Sequence, residues 1–240
     1  MWLHASCARI LRRLSISLTV EGSPQTRGLV VSNHLSYLDV LLFGASCGPG
    51  GHGGAASGCY IFVAKSEVRH WPLFGGLARC GGTVFVERGR GTQAAEAAQL
   101  IEGALSERVP VLLFPEGTSS DGSSVLPFRS ALFEPAIRAG ACVTPAAIGY
   151  RSDQSREREI AYWGKMEFAP HLFRTLRLRG LAAEIRFGEP IVFDDRKQAA
   201  NTTWQEVTAL REGYAQPLGR KRVRRLAGNQ QVEQVGAREI

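Results

Sequence analysis

Gly28-Leu29-Val30-Val31-Ser32-Asn33-His34-Leu35-Ser36-Tyr37-Leu38-Asp39-Val40-Leu41-Leu42-Phe43 sets the terms for the rest of the chain. The apolar run at 28–31 reads as a strand, a polar break follows, and 36–43 carries a helical pattern. Strand, short turn and helix form the unit of layered α/β proteins. On a regular helix two residues five apart point about 140° from one another, so an unbroken helix would keep His34 and Asp39 apart. His34 is therefore placed before the helix. With Ser36 as N-cap, Asp39 falls in the first turn, from which its carboxylate reaches back to the His34 ring. A carboxylate on one ring nitrogen fixes the tautomer and leaves the other nitrogen free to take a proton from an alcohol. The same spacing also suits a plain capping pair beside a surface histidine, and these residues alone leave both readings open.

Outward from this stretch the pattern repeats. Ile16, Leu18 and Val20 alternate with polar residues, and Glu21-Gly22-Ser23-Pro24 separates them from the run at 28–31, which predicts two paired strands. The glycine-rich segment 44–54 predicts a mobile surface loop. Further strands are expected at 60–64, 83–87, 109–114, 143–148 and 184–187, with helices at 93–105 and 130–139. That alternation predicts an α/β fold in which helices cover a sheet.

The 240 residues suffice for one large domain with appendages: a helix at 1–14, a domain at 15–215 and a basic polar tail at 216–240 that includes Arg220, Lys221, Arg222, Arg224 and Arg225. A formal charge of +7 and a pI near 9.5 favour anionic partners. The five cysteines are scattered and none forms C-x-x-C, so neither a disulfide framework nor a zinc site is indicated, no metal is expected, and a reducing cytoplasm is the simpler setting. No apolar stretch approaches the roughly 20 residues of a spanning helix. At the N-terminus Leu3, Cys7, Ile10, Leu11 and Leu14 fall on one helical face, with Arg9, Arg12 and Arg13 largely elsewhere. Such a helix suits either an anionic membrane interface or packing on the domain core.

Two further segments carry chemistry. Gly82-Thr83-Val84-Phe85-Val86-Glu87-Arg88-Gly89-Arg90-Gly91 runs from a strand into arginines and glycines at a helix start, a composition that cradles phosphate. Its Gly89-x-Gly91-x-x-Ala94 spacing imitates a dinucleotide loop, but no acidic residue ends a following strand at the distance such a loop requires. Val111-Leu112-Leu113-Phe114-Pro115-Glu116-Gly117-Thr118-Ser119-Ser120 delivers a carboxylate, a glycine and hydroxyls into a turn at a strand end, where functional residues of α/β proteins gather. Gly44-Ala45-Ser46-Cys47-Gly48 matches a serine-hydrolase elbow in letters only, since a helix precedes it.

In order along the chain, Asn33-His34 with Asp39, 82–88, Phe114-Pro115-Glu116-Gly117-Thr118 and Val143-Thr144-Pro145 resemble the four blocks of the glycerolipid acyltransferases, most closely the bacterial 1-acyl-sn-glycerol-3-phosphate (lysophosphatidate) acyltransferases. Phe62-Val63-Ala64-Lys65-Ser66-Glu67 and Leu126-Pro127-Phe128-Arg129 resemble their connecting segments; Ser130 departs from the glycine often found after that arginine. The resemblance spans about residues 15–190 and implies a layered α/β fold with a central, mostly parallel or mixed sheet. It implies His34 as general base and Asp39 as its orienting partner. Arg88 and Glu116 would form the acceptor site, with Lys65 and Arg129 as further cations for a phosphate. Gly117 and Thr118 would supply backbone and hydroxyl support, and Pro145 part of the acyl-side wall.

The activity so implied is transfer of a fatty acyl group from acyl carrier protein or coenzyme A thioester to 1-acyl-sn-glycerol 3-phosphate, giving phosphatidic acid, with no cofactor beyond that co-substrate. A lysophospholipid acceptor, a donor thioester and a membrane surface are the expected partners, and the cytoplasmic face of the membrane the expected place. Another lysolipid such as lyso-ornithine lipid, or glycerol 3-phosphate, is the alternative acceptor. A lipid hydrolase would need a nucleophile in a strand-turn-helix setting, and none is found. A nucleic-acid-binding module is the reading from another class. The basic cluster at 220–225 has no interleaved aromatics, so no specific nucleic acid is expected.

Overall fold

The computed structural model describes residues 2–47, 60–65, 83–86, 91–212 and 224–225. Its strands are β1 (Ser17–Glu21), β2 (Leu29–Ser32), β3 (Ile61–Lys65), β4 (Val84–Val86), β5 (Val111–Leu113), β6 (Val143–Arg151), β7 (Ala182–Phe187) and β8 (Arg224–Arg225). They form one sheet in the order β4-β3-β5-β2-β6-β7-β1-β8. Pairing is parallel from β4 through to β6 and between β7 and β1, and antiparallel between β6 and β7 and between β1 and β8. The expected mixed, mostly parallel sheet is thus observed.

Helices α1 (Trp2–Arg13), α2 (Leu38–Ser46), α3 (Gly91–Ser106), α4 (Glu134–Arg138), α5 (Glu157–Ile160), α6 (Phe168–Arg177) and α7 (Arg196–Glu212) cover both faces. β2 shows why both must be covered. Its residues alternate in direction, with Val30 joining a core that contains α1, α2 and part of α6, and Leu29 and Val31 joining a second core with α3, α4 and α7. A strand apolar on both sides belongs in the middle of a parallel sheet, and β2 sits there between β5 and β6.

Several local expectations are corrected. β1 and β2 are not paired; β1 lies beside β7, with Leu18 opposite Ala183, and the turn between them carries the chain across the sheet. α2 begins after Tyr37, one residue beyond the expected cap, and Ser36 Oγ still accepts from the Leu38 amide at 3.4 Å. Gly44, Ala45 and Ser46, expected in a loop, are buried in the last turn of α2, while 48–54 lies outside the described residues. The helix expected at 130–139 is a 3-10 turn, Ser130–Phe133, followed by α4. Arg224 and Arg225, expected in a solvated tail, pair with Val20 and Thr19 of β1.

Cys7, Ile10, Leu11 and Leu14 of the apolar stripe of α1 face inward. Cys7 and Leu11 are buried in the core that holds α2, whereas Arg9, Arg12 and Arg13 are exposed. Of the two roles open to this helix, core packing is the one its apolar residues perform here. Close approach of α1 and α2 depends on Gly44, where an added Cβ would lie 2.8 Å from the Cys7 sulfur. Gly44→Leu is expected to destabilise the fold by about 1–3 kcal/mol through overpacking, read as a lower urea midpoint at unchanged slope; a wild-type midpoint would contradict this contact.

Candidate active site

The chain leaves the C-terminal end of β2 at Ser32 and is fixed at once. Asn33 is buried, and its side-chain amide meets the backbone of Ile148 in β6 in both directions: Nδ2 donates to the carbonyl at 3.0 Å, and Oδ1 accepts from the amide at 2.9 Å. The same carbonyl accepts from Arg211 of α7 at 2.9 Å, and Arg211 also forms a two-pronged ion pair with Glu157. A strand end that would otherwise fray is thereby tied to its neighbour.

Next comes the pair expected from the sequence. Nδ1 of His34 lies 2.8 Å from Oδ2 of Asp39. Asp39 is completely buried, and its carboxylate also accepts from the amides of Leu35 at 2.7 Å and Ser36 at 3.0 Å, while its other oxygen accepts from the Tyr150 hydroxyl. A buried carboxylate so surrounded by donors, in the first turn of a helix, has its lost hydration replaced by charge-assisted bonds. The bond from Ser36 N to the Asp39 side chain in the first turn is the carboxylate half of a capping box.

Because a carboxylate accepts, Nδ1 carries the proton and Nε2 keeps its lone pair. No described residue bonds Nε2. The ring lies flat on Phe114, with centroids 4.2 Å apart and planes 19° from parallel, and its side chain is 23% exposed. The imidazole is thus oriented on one side, supported on another and open at the nitrogen that would take a proton.

The turn after β5 holds the same loop from beneath. Glu116 Oε1 accepts from the His34 amide at 3.2 Å, and the Ser120 amide donates to the His34 carbonyl at 2.9 Å. The Leu35 carbonyl accepts from Tyr162 N at 2.8 Å, and Ser36 O from Asp39 N at 3.0 Å. Every backbone donor and acceptor from His34 to Ser36 therefore has a partner.

Glu116 is 4% exposed, and its second oxygen is buried with no hydrogen-bond partner. Its carboxyl is raised to about 8, by burial first and by the nearby Asp39 charge, against the His34 amide bond, which lowers it. Gly117 follows in the left-handed region at φ 70°, and an added Cβ would lie 2.8 Å from Arg129 Nε. The exposed Arg129 side chain thus lies over the backbone of the turn, beside the exposed Thr118.

The structure therefore gathers His34, Asp39, Glu116, Gly117, Thr118 and Arg129 around two neighbouring strand ends. Pro145 is not brought to them. Alternation along β6 turns it to the side of Val143 and Ala147, where its ring packs against Gly188, opposite to the side from which Tyr150 reaches Asp39. Lys65 ends β3 in register with Val86 of β4, so both strands end at one edge; the Lys65 side chain and the whole of Arg88 lie outside the described residues. Tyr150, Phe114 as a ring support, and Arg211 are functional positions that the sequence did not disclose as such.

Residues 17–149 match the family model described as Acyltransferase. The chain is 37% identical over 227 residues to the lyso-ornithine lipid O-acyltransferase of Brucella abortus, covering 87% of this chain and 80% of that one. The chain belongs to the acyltransferase family. It is an enzyme that transfers acyl groups, and the shared domain spans β1 to β6 with the His34–Asp39 pair inside it. A 1-acyl-sn-glycerol-3-phosphate acyltransferase of Neisseria gonorrhoeae is 29% identical over 161 residues, covering 66% of this acyltransferase and 58% of its own chain. The crystal structure of the Thermotoga maritima 1-acyl-sn-glycerophosphate acyltransferase PlsC shares the fold, with a TM-score of 0.66 at 22% identity over 91% of this chain and 80% of that one.

The raised carboxyl of Glu116 has a consequence for stability. Between its ordinary value near 4.5 and about 8, the unfolded chain has released this proton and the folded chain retains it. Its contribution is therefore full below about 4.5 and falls as pH rises through about 8, by about 1.4 kcal/mol per pH unit at most. Glu116→Gln should abolish that slope, so the stability of wild type minus variant is expected to fall from about pH 5 to about pH 8 in urea titrations; a constant difference would show that Glu116 ionises normally.

Proposed function

We propose that the protein moves a fatty acyl group from a thioester onto the free hydroxyl of a lysolipid, with His34 as general base and Asp39 as the group that orients it. The observation that carries this reading is the 2.8 Å bond between His34 Nδ1 and the buried Asp39, which leaves Nε2 as the proton acceptor. His34 would take the hydroxyl proton as the oxygen attacks the thioester carbonyl, and the thiolate would leave; no covalent acyl-enzyme is needed. Arg129, with Lys65 and Arg88, supplies positive charge for an anionic headgroup, and Glu116 offers a buried carboxyl oxygen to the acceptor's polar groups. The donor is a thioester of acyl carrier protein or coenzyme A, and no further cofactor takes part. The enzyme works at the cytoplasmic face of the membrane, as a peripheral protein; no helix among the described residues is long and apolar enough to cross a bilayer.

Lyso-ornithine lipid is the acceptor favoured by kinship, because the relatives carrying that name match at up to 37% identity across most of both chains. 1-Acyl-sn-glycerol 3-phosphate is the second reading, supported by the Neisseria relatives at 29%. Initial rates with both acceptors and both donor classes separate them. The higher kcat/KM is expected for lyso-ornithine lipid, and the reverse order would favour phosphatidate synthesis. His34→Ala and Asp39→Asn are each expected to lower kcat/KM by about 10²–10⁴-fold with either acceptor; a folded variant of either kind acting at the wild-type rate would remove the pair from catalysis.

A further inference from the structure

Helix α6 packs Phe168 and Leu172 on the core but leaves two other large apolar side chains outside. Its inward face carries His171 and Thr175, both buried, while Phe173 is 62% and Leu176 44% exposed. Large apolar side chains in solvent above buried polar ones are an informative arrangement, whereas Leu100 and Val192, the other exposed large apolar side chains among the described residues, stand singly. The inward residues are well held. Burial lowers the pKa of His171 and keeps the ring neutral; Nε2 donates to the Ala161 carbonyl at 3.1 Å, so Nδ1 accepts from the Tyr37 hydroxyl at 3.1 Å. The Thr175 hydroxyl donates to the His171 carbonyl at 2.9 Å. With those bonds made, α6 cannot rotate to bury Phe173 without leaving polar groups unpaired.

Cations lie near the exposed apolar pair in the sequence. Between residues 163 and 180 they are Lys165, Arg174, Arg177 and Arg179, against Glu167 as the one carboxylate, and all five are exposed. Phe173, Leu176 and Arg177 share one helical face by their three- and four-residue spacing, with Arg174 at its flank. Two large apolar groups are too few for the core of a stable protein interface, which buries about 800 Å² on each side. They suit the headgroup boundary of a bilayer, where a short apolar face is supplemented by arginines on lipid phosphates.

We propose that the outward face of α6 docks the protein on an anionic lipid surface, with Phe173 and Leu176 entering the headgroup boundary and Arg177, Arg179 and Lys165 meeting phosphates. This deepens the lipid-acceptor reading and rests on it for its purpose, because α6 is connected to the base. Tyr37, two residues from Asp39, packs on Phe168 and His171 of α6 at ring-centroid distances of 5.1 and 5.7 Å, and the Tyr162 amide, just before the helix, holds the Leu35 carbonyl. A bilayer against α6 would lie about one helix diameter, roughly 10 Å, from the residues that position His34.

The test is co-sedimentation of the full chain with sucrose-loaded vesicles of phosphatidylcholine, alone or mixed with phosphatidylglycerol. Wild type is expected to bind the anionic vesicles, more weakly as salt rises. Phe173→Ser with Leu176→Ser, and separately Arg177→Glu with Arg179→Glu, should each lower the partition constant at least about tenfold. Leu100→Ser should bind as wild type, and matching thermal melts show that the exposed substitutions leave the fold intact. Wild-type partitioning by both double variants, equal binding to neutral vesicles, or retention by a protein partner without vesicle binding would overturn the proposal. Acyl transfer by wild type to detergent-dispersed lysolipid is measured separately: its absence would count against the acceptor reading, whereas the sedimentation result alone decides docking.

Discussion

The Asp39 carboxylate is the constraint on which the rest of the site depends. A negative charge with no exposed surface is tolerable only where donors replace water, and here the donors are the very groups that shape the site. The amides of Leu35 and Ser36 set the path of the loop, the His34 ring receives its orientation, and the Tyr150 hydroxyl ties the arrangement to β6. Satisfying one buried charge thus folds the loop and prepares the base together. Tyr150 is itself constrained: burial first, and the neighbouring Asp39 charge next, raise its pKa well above the ordinary phenol value, so it stays a donor throughout the working pH range.

The fold makes this possible by where it ends its strands. β2 and β5 are adjacent and parallel, so His34 and Glu116 leave the sheet at one edge, where the loops can bond each other without crossing the core. β6 lies on the other side of β2 and supplies the backbone to which Asn33 is clamped. Functional groups at the carboxyl ends of neighbouring strands are the usual consequence of a parallel sheet. Phe114 joins the two roles, since it directly follows β5 and also forms the platform under the imidazole.

Much of this was legible in the sequence, for identifiable reasons. The His34–Asp39 spacing carries its own geometry, because five residues on one helix would separate the two and a turn followed by a helix brings them together. The strands that are apolar on both faces were legible for the same reason that they are buried. What escaped was information held between distant segments. The partnership of β1 with β7 depends on a chain crossing that no local turn signal encodes, so Glu21-Gly22-Ser23-Pro24 suggested a hairpin. Tyr150 sits at the end of a strand, where sequence alone gives no hint that it turns inward to a carboxylate more than a hundred residues earlier. Pro145, which resemblance assigns to the acyl-side wall, lies on the face of β6 opposite to Tyr150. α6 escaped because its inward face mixes Phe168 and Leu172 with the buried polar His171 and Thr175 while Phe173 and Leu176 face outward, which blurs the pattern that identifies a helix packed on a core.

Asp39 holds the His34 imidazole with its proton on Nδ1 and its lone pair on Nε2. The most direct measurement is the ¹⁵N spectrum of histidine-labelled protein at neutral pH, with His34 assigned by comparison with the His34→Gln variant. A protonated Nδ1 and an unprotonated Nε2 are expected for this residue. A proton on Nε2 with a bare Nδ1 would contradict this assignment, because the nitrogen facing the hydroxyl would then have no lone pair to take a proton.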